Sequence, residues 1–155
     1  MRVILEILFP SPIDNNIHGS RLPIIIFALY AIVSTIRSCV HLLAPDGGAG
    51  SIAGMDLTVT GANEVIFAFA LWGSSQLLLA LIQVLVVIRY RSLVPFMYIL
   101  LILEVLLRDL VGYLKPVTFA HTPPGAIGNH VVLLLSVLML ILSLWSAINQ
   151  TNKKK

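Results

Sequence analysis

Residues 93–114 read LVPFMYILLILEVLLRDLVGYL. The run is long enough to cross a bilayer, for which about 20 apolar residues suffice. It nonetheless carries Glu104, Arg108 and Asp109. About fifteen apolar residues favour insertion by about 4 to 9 kcal/mol, while three central charges oppose it by up to about 10 kcal/mol. Arg108 and Asp109 lie toward one end, which lowers their cost. The stretch is marginal alone and calls for polar partners on other helices. Glu104 and Arg108 are spaced i,i+4 and can pair on one face. Asp109 lies about 100° round from Arg108, toward a different neighbour.

The rest of the chain suits the same setting. Of its 155 residues, 58% are hydrophobic and 11% charged, against about 25% charged in a soluble domain. Four long apolar stretches fill most of the length, so a four-helix transmembrane bundle is expected as a single domain. The net charge of +3 sits mostly at the ends and in short loops. No basic stripe with interleaved aromatics is present, which argues against nucleic-acid binding. Cys39 is the sole cysteine, so an internal disulfide, a CxxC pair and a cysteine-built zinc site are excluded.

Working outward, residues 1–21 form an N-terminal segment and linker. The run MRVILEILF is short, holds Glu6 and precedes Pro10 and Pro12 without a clear cleavage site. That favours an interfacial helix over a signal peptide, with Val3, Ile4, Ile7 and Leu8 toward lipid. Helix 22–43 places Ser34, Arg37, Ser38 and His41 on one face, which should turn into the bundle. The Pro45-Asp46-Gly47-Gly48 run signals a turn, with a short re-entrant or interfacial turn around Ile52 and Met55. Helix 63–88 opens with Glu64 in its dipole-favoured first turn. Gln76, Ala80 and Gln83 form a more polar stripe, and Ala70, Gly73 and Ser74 permit close helix approach. Helix 130–148 is nearly pure Leu, Val, Ile and Met, with Ser136 and Ser143 two turns apart. Residues 149–155 form a basic tail.

Positive charge sets the expected orientation. Arg2, Arg21, Arg89, Arg91 and the terminal lysines fall on one side, against Lys115 alone on the other. The positive-inside rule then puts both termini in the cytoplasm. In that topology Arg37, His41, Glu64, Glu104, Arg108, Asp109 and His130 share the outer half of the membrane. One polar cluster is expected there, with Arg37–Glu64 and Glu104–Arg108 as pairs. Such a cluster either fixes helix register, holds a ligand or carries protons, and Glu104 is then the candidate proton carrier. His121 and His130 have no zinc spacing, and no cofactor, metal or catalytic motif is assigned.

Helix 22–43 followed by APDGGAGSIAGMDL, then Glu64, a basic loop and Arg108, resembles the DoxX-like group of small bacterial four-helix membrane proteins. The resemblance implies an inner-membrane protein of accessory function, in some members tied to redox partners. The missing cysteine pair speaks against a dithiol role here. The expected function is non-enzymatic: binding a hydrophobic small molecule within the lipid bilayer, or serving as an accessory subunit to a membrane partner or a second copy. The rival is a membrane isomerase or redox auxiliary acting on a sterol-, quinone- or lipid-like substrate.

Overall fold

A computed structural model describes residues 2–17, 19–117 and 122–153. They form α1 (Arg2–Leu8), α2 (Leu22–Leu43), α3 (Ala62–Arg89), a 3-10 turn (Arg91–Leu93), α4 (Val94–Leu114) and α5 (Pro124–Lys153). Among the described residues there is no strand. Three helices are long and apolar enough to cross a membrane: α2, α3 and α5 as far as Gln150. α4 carries three charges and is not one of them. α5 extends past the expected 130–148 at both ends. Pro124 lacks the N–H that a first helical residue leaves unbonded anyway, so the double proline starts the helix. His121, Lys154 and Lys155 lie outside the described residues.

The surface pattern is inverted relative to a water-soluble domain. Leu29, Val33 and Ile36 of α2 and Phe67 and Leu78 of α3 are all more than half exposed. Ser34, Ser38, His41, Gln83, Ser136 and Ser143 are buried. Apolar residues facing outward around a polar interior are what a lipid environment favours, because only the inside can satisfy polar groups.

α2 and α3 pack along their lengths, and α4 packs along α5. Gly73 faces His41 and Leu42 at one end of the first pair. A Cβ there would lie 2.8 Å from the Leu42 nitrogen and from the His41 Cβ. The absent side chain is therefore what lets the two backbones meet. At the other end Phe27, Val86, Val94, Met97, Tyr98 and Leu101 form one apolar core from α2, α3 and α4, with Met139 and Leu140 of α5 packed on it. The Tyr98 hydroxyl donates to the Pro23 carbonyl at 2.6 Å, and its ring meets Phe27 edge-on at 5.6 Å.

The N-terminal segment closes over this core. Phe9 meets Phe96 of α4, with ring centroids 5.4 Å apart. The Asp14 N–H donates to the Ser92 hydroxyl at 3.0 Å, and that hydroxyl donates to the Asp14 carbonyl at 2.9 Å. The N–H groups of Gly19 and Ser20 donate to Gln150 and Ser146 of α5, both at 3.0 Å. Of the four residues expected toward lipid, Val3 and Ile4 are exposed and Ile7 and Leu8 are half-buried. Ile7 turns inward instead, lining a small cavity with Ile24, Val94, Pro95 and Ser143. Seven residues make two turns, too few to keep one face clear of the neighbours α1 packs on.

The 44–61 loop is a chain of turns with positive φ at Gly47, Gly48 and Gly54. Asp46 organises its start by accepting from the Ser51 N–H at 2.7 Å and the Gly48 N–H at 2.8 Å. These two bonds hold its carboxyl below the usual carboxylate range, at about 2.

Two outcomes follow from these contacts. Gly73→Ala should lower stability in detergent by about 1–3 kcal/mol through overpacking. Gly112→Ala, with nothing within 4 Å of the added carbon, should raise it by up to about 1 kcal/mol through helix propensity. Equal melting temperatures for the two variants would contradict the close α2–α3 approach. The Asp46 carboxyl sits lower in the fold than in the open chain, so its contribution is present above 3.8 and lost as pH falls toward about 2. Protection of the Gly48 and Ser51 amides from exchange, taken against the open-chain rate at each pH, should fall over that window in wild type. In Asp46→Asn protection should be lower throughout and lack the acid step.

Candidate functional site

Three helices each present a pair of functional side chains spaced i,i+4: Arg37 and His41 on α2, Trp72 and Gln76 on α3, Glu104 and Arg108 on α4. The spacing puts each pair on one face. The helix packing brings the three faces to one level.

Gln76 is the centre. Its Oε1 accepts from Nη2 of Arg37 and from Nη2 of Arg108, each at 3.1 Å. Arg108 Nη1 donates to Oδ1 of Asn129 on α5 at 3.1 Å. Arg108 Nη2 also forms an ion pair with Oε1 of Glu104. A single polar chain thus runs from α2 through α3 and α4 to α5. Trp72 supports both cations, with the Arg37 and Arg108 Cζ atoms 5.5 and 5.7 Å from its ring centroid. That is within cation–π range. Tyr30 of α2 lies in electrostatic reach of Glu104, Arg37 and Arg108. Arg37 and Arg108 are each six residues from the ends of their helices at Leu43 and Leu114. At 1.5 Å per residue the cluster lies roughly 9 Å inside the helical layer.

His41 stands beside this chain. Its ring lies 4.7 Å from Trp72. Its Nδ1 is 2.7 Å from the Gly47 carbonyl, which only accepts, so Nδ1 carries the proton. His41 therefore fastens the turn after α2 and backs the indole.

Not every expected residue arrives. Arg37 and Glu64 do not pair: Glu64 is exposed in the first turn of α3, and Arg37 meets Gln76. Gln76 lies twelve residues further along α3, about 18 Å by helical rise, which puts Glu64 out of reach. Asp109 is exposed and outside the network, on the side its 100° offset implies. His130 is exposed, in the second turn of α5, with Nδ1 2.8 Å from the Ala126 carbonyl. Sequence reading missed Trp72, Gln76 and Asn129 as site residues. Gln76 had a signal, since it headed the polar stripe of its helix. Asn129 carries none, because the expected helix begins only at 130.

Chemically, the site offers two guanidinium groups, one carboxylate, two amides and an indole face. Its guanidinium and amide N–H groups can donate hydrogen bonds to a polar or charged group. Its carboxylate is engaged by Arg108, and among the described residues no three His, Cys, Asp or Glu side chains converge as metal ligands. Comparison with protein families, curated proteins and solved structures finds no match for this chain.

Proposed function

We propose that this is a four-span integral membrane protein of the bacterial inner membrane, with both termini cytoplasmic, which binds a hydrophobic molecule with a polar head at the Arg37–Gln76–Arg108 cluster. The observation that carries the reading is that side chains from α2, α3, α4 and α5 meet in one hydrogen-bonded chain at one depth. Intramembrane charges gathered this way mark functional sites by default. The same chain supports α4 as the fourth span. Glu104 and Arg108, its two charges of opposite sign, pair with each other there, and Arg108 gains partners on the neighbouring helices. Arg21, Arg89 and Arg91 gather at the end opposite Lys115, which supports the orientation. The DoxX-like likeness belongs to this proposal as a likeness of topology, and topology alone does not confer function.

The test is native mass spectrometry of the detergent-purified protein with extraction and identification of bound small molecules. Wild type should carry a hydrophobic molecule that Arg108→Met loses. Gln83→Leu should keep it. Gln83 is fully buried, and neither its amide nitrogen nor its oxygen has a hydrogen-bond partner among the described residues. Replacing it should leave stability unchanged or raise it by about 1–3 kcal/mol. A co-purifying protein in place of a small molecule would move the reading to an accessory subunit. The same bound mass in Arg108→Met as in wild type would remove the cluster from binding.

A further inference from the structure

We infer that the polar head held at this site is an oxyanion, a carboxylate or a phosphate carried on an apolar tail, and that Arg37 and Arg108 bind it together. The inference rests on the ligand-binding reading above and specifies its chemistry.

Charge balance is the first ground. The cluster holds two guanidinium groups and one carboxylate. The chain has seven acidic residues, and six of them are committed elsewhere or point away. Asp46 binds the backbone of its own loop. Asp56 binds Thr58. Glu64 and Asp109 are exposed, off the network. Glu6 and Asp14 belong to the N-terminal segment at the other end of the helices. Glu104 alone remains, and it pairs with Arg108. Arg37 therefore forms no ion pair among the described residues, although it is only partly exposed. Glu104 lies in electrostatic reach of Arg37 as well, but one carboxylate does not neutralise two guanidinium groups, and a cation drawn out of water without its full counter-charge is costly. An anion from outside the chain removes that cost.

Donor geometry is the second ground. A guanidinium has five N–H donors in a planar fork. Arg37 spends one of them, on Gln76. Arg108 has committed three of its own, Nη2 to the same oxygen and to Glu104 and Nη1 to Asn129. Its Nε–H and second Nη1–H remain, beside the four donors left on Arg37. One open fork and two further donors suit a group with two or three acceptor oxygens, the kind that arginine recognises bidentately. A neutral hydroxyl or ketone has fewer acceptors to offer them.

Depth and surroundings are the third ground, and they supply the tail. The cluster lies roughly 9 Å inside the helical layer. Around it Leu71 of α3 and Leu107 of α4 are 58% and 60% exposed, and Trp72 is 37% exposed. An anion reaching this level passes apolar surface, and an acyl chain gains by covering it. Trp72 touches both cations and the outside, so its emission reports directly on occupancy.

The test uses the full chain in neutral detergent with Trp145→Phe, which leaves Trp72 as the sole tryptophan, excited selectively at the red edge where tyrosine does not absorb. The probes are oleate, phosphatidylglycerol, monooleoylglycerol as the neutral amphiphile, phosphatidylcholine and inorganic phosphate. Oleate or phosphatidylglycerol should shift Trp72 emission saturably, about tenfold more tightly than monooleoylglycerol, the scale of one hydrogen bond to a charged group. Arg37→Gln should weaken the anionic probe by about tenfold or more, and Arg37→Lys by less. Glu104→Gln should tighten it, because the internal carboxylate no longer competes for Arg108. A merely structural cluster predicts no gain from that variant, so the result stands even if Arg37→Gln folds poorly. Oleate favoured over phosphatidylglycerol assigns a carboxylate head, and the reverse assigns a phosphate head. Phosphatidylcholine binding as well as phosphatidylglycerol would overturn the charge argument. Inorganic phosphate binding as tightly as the lipids would overturn the tail. Equal binding of monooleoylglycerol and oleate, indifferent to Arg37→Gln, would overturn the oxyanion while leaving a hydrophobic-ligand site. No saturable binding of any amphiphile would overturn both.

Discussion

Two guanidinium groups share one amide oxygen inside an apolar helical layer, and the arrangement of the helices depends on that meeting. A guanidinium cannot be left bare among lipid chains or leucines, because the cost of an uncompensated charge exceeds what any single apolar contact returns. Arg37 and Arg108 therefore dictate which faces of α2 and α4 turn inward and at what level. Gln76 answers both from α3, and Asn129 answers Arg108 from α5. α3 and α4 touch sparingly along their lengths, so the Gln76–Arg108 bond is a principal tie between the two packed pairs at this end. The opposite end is tied differently, by the apolar core around Phe27 and Tyr98.

The close α2–α3 approach makes the shared oxygen possible. Gly73 sits three residues before Gln76 and removes the side chain that would separate the two backbones. His41 packs into that contact, and its ring supports Trp72 while its Nδ1 anchors the loop through Gly47. Gly47 and Gly48 can take the positive φ that brings the loop back over His41. The turn, the glycine and the indole thus act on one problem. They hold Gln76 where two cations from different helices can reach it.

Much of this was legible in the sequence, and the rest was hidden for a specific reason. Hydropathy marked helices able to cross a membrane, because burial in lipid needs only length and composition. Spacing within a helix was equally readable: the i,i+4 relation of Glu104 and Arg108 is a local fact, and the ion pair is present. The Arg37–Glu64 pair failed because shared depth does not fix rotation. A helical sequence states the angle between its own residues but not the angle at which it faces its neighbour. Gly73 sets that second angle for α2 and α3, and it brings Gln76, not Glu64, to Arg37. Asn129 escapes because the expected helix begins at 130, six residues after α5 starts at Pro124, which leaves a helical amide outside it.

α4 contributes to the polar chain two of the charges that set it apart from the other long helices. Its three charges make it the least apolar of the four long helices, and its length and composition alone do not mark it as a span. Within the packed chain two of those charges cancel, and Arg108 gains partners on α3 and α5. The charges that weaken α4 as an isolated segment are thus the groups through which it joins its neighbours. Had the network only to offset them, one positive group matched to Glu104 would suffice. Arg37 is the surplus. Its presence adds desolvation cost to a helix, α2, that is otherwise long and apolar enough to span unaided, and a second guanidinium on Gln76 repels the first. A structural clamp gains nothing from that repulsion, whereas the anionic head group proposed above would relieve it.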